Sequence, residues 1–356
     1  MTDFDVIVIG AGPAGCKTAE LIAGNGYKVL VVEEHDEIGK PVQCTGIDSH
    51  RILELSGVSE KIVLNKVKKA RFYSESKNYL ELNSKKWVYV IDRHKLDFEI
   101  AKKAIKNGAE ILTSTRFKDL NIEKDHVKVF TKNGSYTCKI LVGADGPNST
   151  VAKKANIDLP KNYLVGYQET IKGYFKENIV ELWFGKNITP DFFAWVVPEN
   201  EKWARVGLAS KINAINYFRN FVDMRFHHIL NKKDVLGGII RYGLIKDSTY
   251  ERILLVGDAA SQVKPYSGGG IIYGLIGARF AANTCVEAIK SENYSHKFLN
   301  KFYDKQWKKK LSPAIKRGLI LHKTLHLSNR ILDIGINMLK PFSNMLENLD
   351  MDLLFD

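Results

Sequence analysis

DFDVIVIGAGPAGCKTAELIAGNGYKVLVVEEHDEIG, residues 3–39, decides the fold. Val6 to Ile9 form a β-branched apolar run, the pattern of a parallel strand buried on both faces. Gly10-Ala11-Gly12-Pro13-Ala14-Gly15 follows at once. Gly10 suits a tight turn, Gly12 leaves a pyrophosphate room to approach, and Gly15 lets the next helix pack against the strand. That helix, about Ala14 to Asn25, aims its free N-terminal amides at the phosphates. Val29 to Val32 make a second strand. Glu33 ends it 23 residues after Gly10, where a carboxylate accepts from both ribose hydroxyls. Strand, glycines, helix, strand and acid in one register predict dinucleotide binding. The acid favours an unphosphorylated ribose, as in FAD or NAD, over NADP.

Bulk properties set the frame. A chain of 356 residues predicts about two domains. Its 45% hydrophobic and 26% charged residues are ordinary for a globular protein. No apolar run reaches the length of a membrane span, and no leader pattern opens the chain. Cys16, Cys44, Cys138 and Cys285 lack metal-ligand spacing and read as reduced thiols. A cytoplasmic protein, peripheral to the membrane, is the expectation. Of the net charge of +13, residues 290–340 carry +9, from 12 Lys/Arg against 3 Asp/Glu. A solvated basic helical face is one reading; a surface for anionic lipid or an acidic protein is another. No nucleic-acid-binding signature accompanies the charge, so no nucleic-acid partner is expected.

Three further stretches choose between the cofactors. VIDRHKLDFEIAKKAIKNGAEIL places Arg93 and Asp97 at the start of an amphipathic helix. ILVGADGPNSTVAKK carries a short buried strand and the turn Asp145-Gly146. ILLVGDAASQVKPYSGGGIIYG carries a strand, then Gly257-Asp258, then Gly268 to Gly270 before a helix opening at about Ile271.

Taken in order, these stretches resemble the FAD-dependent oxidoreductases of the p-hydroxybenzoate hydroxylase superfamily, from Asp3 to about Ala282. The resemblance implies that Gly10, Gly12, Ala14, Gly15 and Glu33 take the ADP half of FAD. It implies that Arg93, Asp145 and Gly146 support the flavin, and that Gly257 and Asp258 hold the ribityl region. Gly269, Gly270 and Ile271 would present amides to the flavin edge. The implied fold is α/β: a Rossmann-type FAD-binding domain with a parallel sheet, an interleaved antiparallel-sheet substrate domain and a C-terminal helical segment. Residues 1–72, 90–160 and 250–290 are assigned to the first, 73–89 and 161–249 to the second, and 291–356 to the third.

GKPVQCTGI places Cys44, Thr45 and Gly46 on a loop reaching the flavin. FAWVVPENEKWARVGLA follows a Tyr-x-Trp-x-Phe-Pro-x(7–8)-Gly-x-Gly pattern through Trp195, Pro198 and Gly207, with Phe193 in place of the Tyr, Val197 in place of the Phe and Ala209 in place of the last Gly. These features resemble the geranylgeranyl reductase family, including the archaeal digeranylgeranylglycerophospholipid reductases. The resemblance implies FAD-dependent reduction of isoprenoid C=C bonds. The substrate is then an isoprenoid lipid, bound by Trp183, Phe193, Trp195, Val197, Pro198 and Gly207. An unactivated alkene needs a proton delivered with the hydride. Cys44 is either the proton donor or a backbone neighbour of the flavin; Tyr266 is a second donor candidate. No nicotinamide fingerprint follows the first, so the reductant is an external donor: a ferredoxin, a reduced deazaflavin or NADPH. A flavin monooxygenase or halogenase on the same fold, or a non-catalytic lipid-binding flavoprotein, are the alternatives.

The tail reads as helices broken near Ser312-Pro313. Beyond the break, Ile315, Leu319, Leu321, Leu325, Leu327, Ile331, Leu332, Ile334 and Ile336 form an apolar stripe between basic residues. Such a helix suits an anionic membrane interface, with Lys308, Lys309 and Lys310 adding charge.

Overall fold

A computed structural model describes residues 2–227, 231–324, 329–343 and 351–352. The opening unit is β1 (Phe4–Ile9), α1 (Pro13–Ala23) and β2 (Val29–Val32). Every residue of β2 is buried, and β1 and β2 pair in parallel from Val6↔Val29 to Ile9↔Val32. Pro13 sits in the first turn of α1, where a missing N–H costs nothing. Gly12 caps α1 without a side-chain bond, which leaves the first amides for a ligand.

The first sheet has the order β15 (Thr249–Tyr250), β16 (Ile253–Leu255), β9 (Gly134–Gly143), β1, β2, β6 (Glu110–Leu112). From β16 to β6 all neighbours are parallel. A hairpin of β7 (Phe117–Ile122) and β8 (Val127–Thr131) joins β9. Helix α1 packs between α3 (Arg93–Lys106) and α6 (Ile271–Lys290). Two short helices, α2 (Arg51–Ser56) and α4 (Thr150–Lys154), flank this domain.

The second sheet runs β14 (Lys232–Arg241), β10 (Tyr163–Lys172), β13 (Trp203–Ser210), β12 (Thr189–Asn200), β11 (Ile179–Gly185), β4 (Val63–Tyr73), β5 (Tyr79–Ile91), β3 (Ile47–Ser49). Only β11 and β4 pair in parallel here. The sequence boundary at residues 72 and 73 cuts within β4, and β3 and β4 lie in the second sheet although they fall within the stretch assigned to the cofactor domain. Lys66, Lys68, Lys69 and Arg71 hide the alternation that would mark β4 as a strand. One face of this sheet packs on α5 (Ala214–Phe226) through Ala194, Val196, Val206, Phe218 and Phe221. The other face lines a cavity.

The tail is α7 (His296–Leu299), a π-helical turn over Asn300–Asp304, α8 (Lys305–Thr324) and α9 (Asn329–Leu339). The break expected at Pro313 is absent: the proline lies inside α8. Proline removes the bond to the carbonyl of Lys309. Leu299, Tyr303, Trp307, Leu311 and Ile315, spaced four apart and fully buried, carry the helix across that defect. The apolar stripe divides. Ile315 is core, Leu332 and Ile336 line the cavity, Leu321 and Ile331 line it while also reaching solvent, and Ile334 is exposed. Leu325 and Leu327 lie outside the described residues.

Candidate active site

One cavity of about 1220 Å³ lies between the two sheets. Its first half is built on the ends of β1, β2 and β9. Gly10 has φ +103°, and a Cβ there would stand 2.4 Å from the carbonyl oxygen of Ala144 on the neighbouring loop. Any side chain would push the β1 turn off β9. A Cβ at Gly12 meets nothing within 4 Å and would project toward the cavity. Glu33 lines the same wall; its carboxylate accepts from the Ala11 amide at 2.7 Å and from His35 Nδ1 at 2.7 Å.

Arg93 opens α3 with its guanidinium on Asp97, at 2.9 and 3.1 Å. Burial works against its charge, but Asp97, Cys44 and Asp48 outweigh burial and hold its pKa high. Burial pushes Asp258 up to about 6, opposed by Arg93. Asp145 is turned back on its own helix. It accepts from Ser149 Oγ at 2.6 Å and from the Thr150 and Val151 amides at 2.7 and 3.0 Å. Its service is thus to cap α4 and fix the Gly146 turn on the cavity wall.

Cys44, Thr45, Gly46, Asp258, Gly269 and Tyr266 also line the cavity. Cys44 Sγ accepts from the Gly46 amide at 3.3 Å, which curls the loop inward. Tyr266 hydrogen-bonds the Met351 carbonyl rather than pointing a free hydroxyl at the chamber. Ala14, Gly15, Gly257, Gly270 and Ile271 stand behind the lining. A Cβ at Gly15 would lie 2.0 Å from the Gly10 oxygen, one at Gly257 2.9 Å from Ala14 Cβ, and one at Gly270 2.3 Å from an Asp258 oxygen. At these three glycines the missing side chain allows close packing beneath the cradle.

The second half of the cavity is apolar. Side chains alternate along a strand. Val180, Leu182 and Phe184 of β11, and Phe193, Trp195 and Val197 of β12, face inward. Trp183 has the opposite parity. It stacks on Tyr73 at 4.1 Å and donates to Glu181 at 2.9 Å, on the α5 side, so it is no part of the chamber wall. Pro198 also has the wrong parity, and its carbonyl accepts from Asn65 Nδ2 at 2.9 Å. Gly207 does not line the chamber but explains the motif. Trp195, Gly207 and Gln168 are cross-strand neighbours on β12, β13 and β10. The indole passes over Gly207, where a Cβ would be 2.6 Å away, and donates to Gln168 Oε1 at 2.9 Å.

The cradle fits FAD. Open space stands at Gly12 and Gly146, and the buried Arg93 Nε and Ser267 Oγ on the cavity wall have no partner among the described residues. A long ligand with phosphates at one end and a polar ring at the other would satisfy both. A profile of the FAD binding domain family matches residues 3–197. A digeranylgeranylglycerophospholipid reductase of Methanosarcina acetivorans is 31% identical over 95% of this chain and 88% of its own. This chain belongs to that reductase family. A geranylgeranyl bacteriochlorophyll reductase-like protein of Thermoplasma acidophilum superposes with TM-score 0.86 at 26% identity, covering 95% of this chain and 91% of that one. A p-nitrophenol 4-monooxygenase of Pseudomonas putida, 17% identical with TM-score 0.75 over 99% of both chains, shares the fold alone. FAD is the cofactor of this family member.

Several residues of this reductase escaped the sequence reading. Arg205 of β13 donates to the carbonyls of Thr45 and Ile91 and so fixes the Cys44 loop. Lys264, almost fully buried, pairs with Asp352 at 2.9 Å; Ser49 and Arg51 complete the grip on that carboxylate at 2.6 and 3.0 Å. Tyr273 donates to the Asp352 carbonyl at 2.7 Å. Two residues of the C-terminal stretch thereby tie down the Lys264–Gly269 loop. Nothing local in the sequence pairs positions 88 residues apart.

Proposed function

We propose that this protein reduces C=C bonds of geranylgeranyl chains in archaeal-type membrane lipids or their precursors, using FAD. Continuity of the cavity carries the reading: an apolar chamber opens without a partition onto the cofactor cradle at the Cys44 loop. An isoprenoid offers almost nothing to hydrogen-bond, so Leu182, Phe184, Phe193, Trp195 and Val197 bind it by burial. FAD, once reduced, supplies the hydride. Gly10, Gly12 and Glu33 hold its ADP half, and Arg93, Gly146, Asp258 and Gly269 surround its other end. Cys44 stands on the wall where the two halves meet, the position for a thiol that delivers the proton.

The electrons come from an external donor. Exposed Lys305, Lys309, Lys316 and Arg317 on α8 favour an acidic ferredoxin over NADPH or a reduced deazaflavin. The lipid comes from a membrane. No helix among the described residues is long and apolar enough to cross one. Helix α9 has no buried residue and lies at the cavity mouth, where Leu332, Ile336 and Leu339 line the opening. Ile320, Ile331, Ile334, Met338 and Phe342 are exposed around it, with Lys323, Arg330 and Lys340 beside them. Apolar groups with flanking cations suit an anionic interface. Lys308, by contrast, is engaged by Asp304 at 2.7 Å and by the Lys246 carbonyl at 2.9 Å.

The test is expression in cells that accumulate unsaturated geranylgeranyl lipids, with and without a ferredoxin. Mass spectrometry is expected to show gains of two hydrogens per bond. Lipids unchanged in both cultures, from cells holding flavin-loaded protein, would refute the assignment.

A further inference from the structure

Gln168 of β10 is 3% exposed and lines the cavity where the Cys44 loop meets the apolar chamber. Its Oε1 accepts two hydrogen bonds, from Trp195 Nε1 at 2.9 Å and from Thr45 Oγ1 at 2.8 Å. An indole N–H can only donate, so the amide is fixed with its oxygen toward Trp195. The –NH₂ group is therefore turned away from both. That Nε2 is buried and has no hydrogen-bond partner among the described residues. A buried donor left unpaired carries a real desolvation cost.

The wall around it has been kept open. Gly166 on β10 and Gly237 and Gly238 on β14 line the cavity beside Gln168. A Cβ built on them would come no nearer than 3.6 Å to protein at Gly166 and 3.7 Å at Gly237 and Gly238. Packing within the protein does not require glycine there. What the glycines preserve is room in front of the strands for something flat or bulky.

We propose that Gln168 Nε2 donates a hydrogen bond to a neutral acceptor atom of the bound ligand and fixes its position at the junction of cradle and chamber. An isoprenoid hydrocarbon has no acceptor. The partner is therefore an oxygen or nitrogen on the ring edge of FAD, or an oxygen at the polar end of the lipid. This assignment rests on the FAD and lipid reading given above.

Two variants separate the donor from its surroundings. Gln168→Glu keeps the oxygen that Trp195 and Thr45 use and replaces the donor with a second acceptor. Gln168→Met removes the donor without adding charge. FAD is titrated into deflavinated protein, and retention of digeranylgeranylglyceryl phosphate from detergent micelles is measured on the FAD-loaded protein. A loss of about tenfold in FAD affinity in both variants, with melting temperatures within a few degrees of wild type, places the acceptor on the cofactor. Unchanged FAD affinity with a similar loss of lipid retention places it on the lipid. Unchanged binding of both probes in either variant overturns the assignment, since an ordered water would then satisfy the amide. So does a loss confined to Gln168→Glu, which reports only the new charge. Wild-type protein that binds neither probe overturns the underlying reading, and this one with it.

Discussion

Gly207→Ala is the sharpest test of how the chamber is built. The added Cβ would lie 2.6 Å from Cζ2 and 2.7 Å from Cε2 of Trp195, and 2.7 Å from the carbonyl oxygen of Tyr167. Comfortable carbon contacts are about 3.5–4 Å, so the indole and β10 must both retreat by about 1 Å. The carbonyl belongs to a paired strand and cannot swing aside as a side chain would. Overpacking of this kind costs roughly 1–3 kcal/mol. Losing the Trp195–Gln168 bond adds about 1 kcal/mol, while stiffening the unfolded chain returns about 0.4–1 kcal/mol. The net expectation is a loss of about 1–3 kcal/mol. Urea denaturation reads it as a lower midpoint at unchanged slope. Gly166→Ala is the control. Its Cβ has a nearest neighbour at 3.6 Å, so stability is expected to hold or rise by up to about 1 kcal/mol. If Gly207→Ala is as stable as wild type, or Gly166→Ala falls equally, the packing argument for the motif glycine is wrong.

Gly12→Val should give colourless protein that remains folded, because a Cβ there has no protein atom within 4 Å and the side chain enters the phosphate approach; full flavin absorbance in the purified variant would contradict this. Asp48 supplies a pH dependence. Burial pushes its carboxyl up to about 6, with Asp352 adding and Lys264 and Arg93 opposing, so the folded state binds the proton more tightly than the unfolded state. Stability from this group is lost as pH rises from about 4 to about 6, by up to about 3 kcal/mol. Asp48→Asn should flatten that part of the profile in urea denaturation, and an identical slope in both proteins would remove Asp48 as its source. Cys44→Ser should slow alkene reduction at unchanged flavin content and flavin reduction, with Cys44→Ala slower still; equal turnover in all three leaves Cys44 a backbone neighbour. The double variant Ile334→Asp, Met338→Asp should lose co-sedimentation with anionic liposomes yet keep its FAD, and sedimentation equal to wild type would move the membrane contact elsewhere.

The cofactor half of the site was readable because its signals are local. A continuous β-branched strand, a glycine turn and an acid at the next strand end sit within one short stretch, and each residue type has a single backbone reason. The chamber was less readable because it depends on parity across strands. Trp183 and Trp195 look equivalent as large apolar residues, yet one register step sends them to opposite faces of the sheet. Alternation from Phe193 to Val197 would have excluded Pro198, and from Val180 to Phe184 would have excluded Trp183. Strand β4 was hidden by its lysines. Gln168 is one amide in an ordinary strand, and only the convergence of Trp195 and Thr45 on its oxygen marks it. The grip of Ser49, Arg51 and Lys264 on Asp352 depends on three-dimensional closure over 303, 301 and 88 residues. Pro313 misled for the opposite reason: a strong local signal was overridden by a buried stripe of period four.

The central claim is that one continuous cavity delivers an isoprenoid double bond to reduced FAD. The most direct measurement is an anaerobic single turnover. FAD-loaded protein is reduced with dithionite, freed of excess reductant, and mixed with a digeranylgeranylglyceryl lipid. Flavin absorbance is expected to return as the lipid gains two hydrogens for each flavin reoxidised. Flavin that stays reduced beside unchanged lipid would contradict the account, as would reoxidation that waits for oxygen and leaves an oxygenated product.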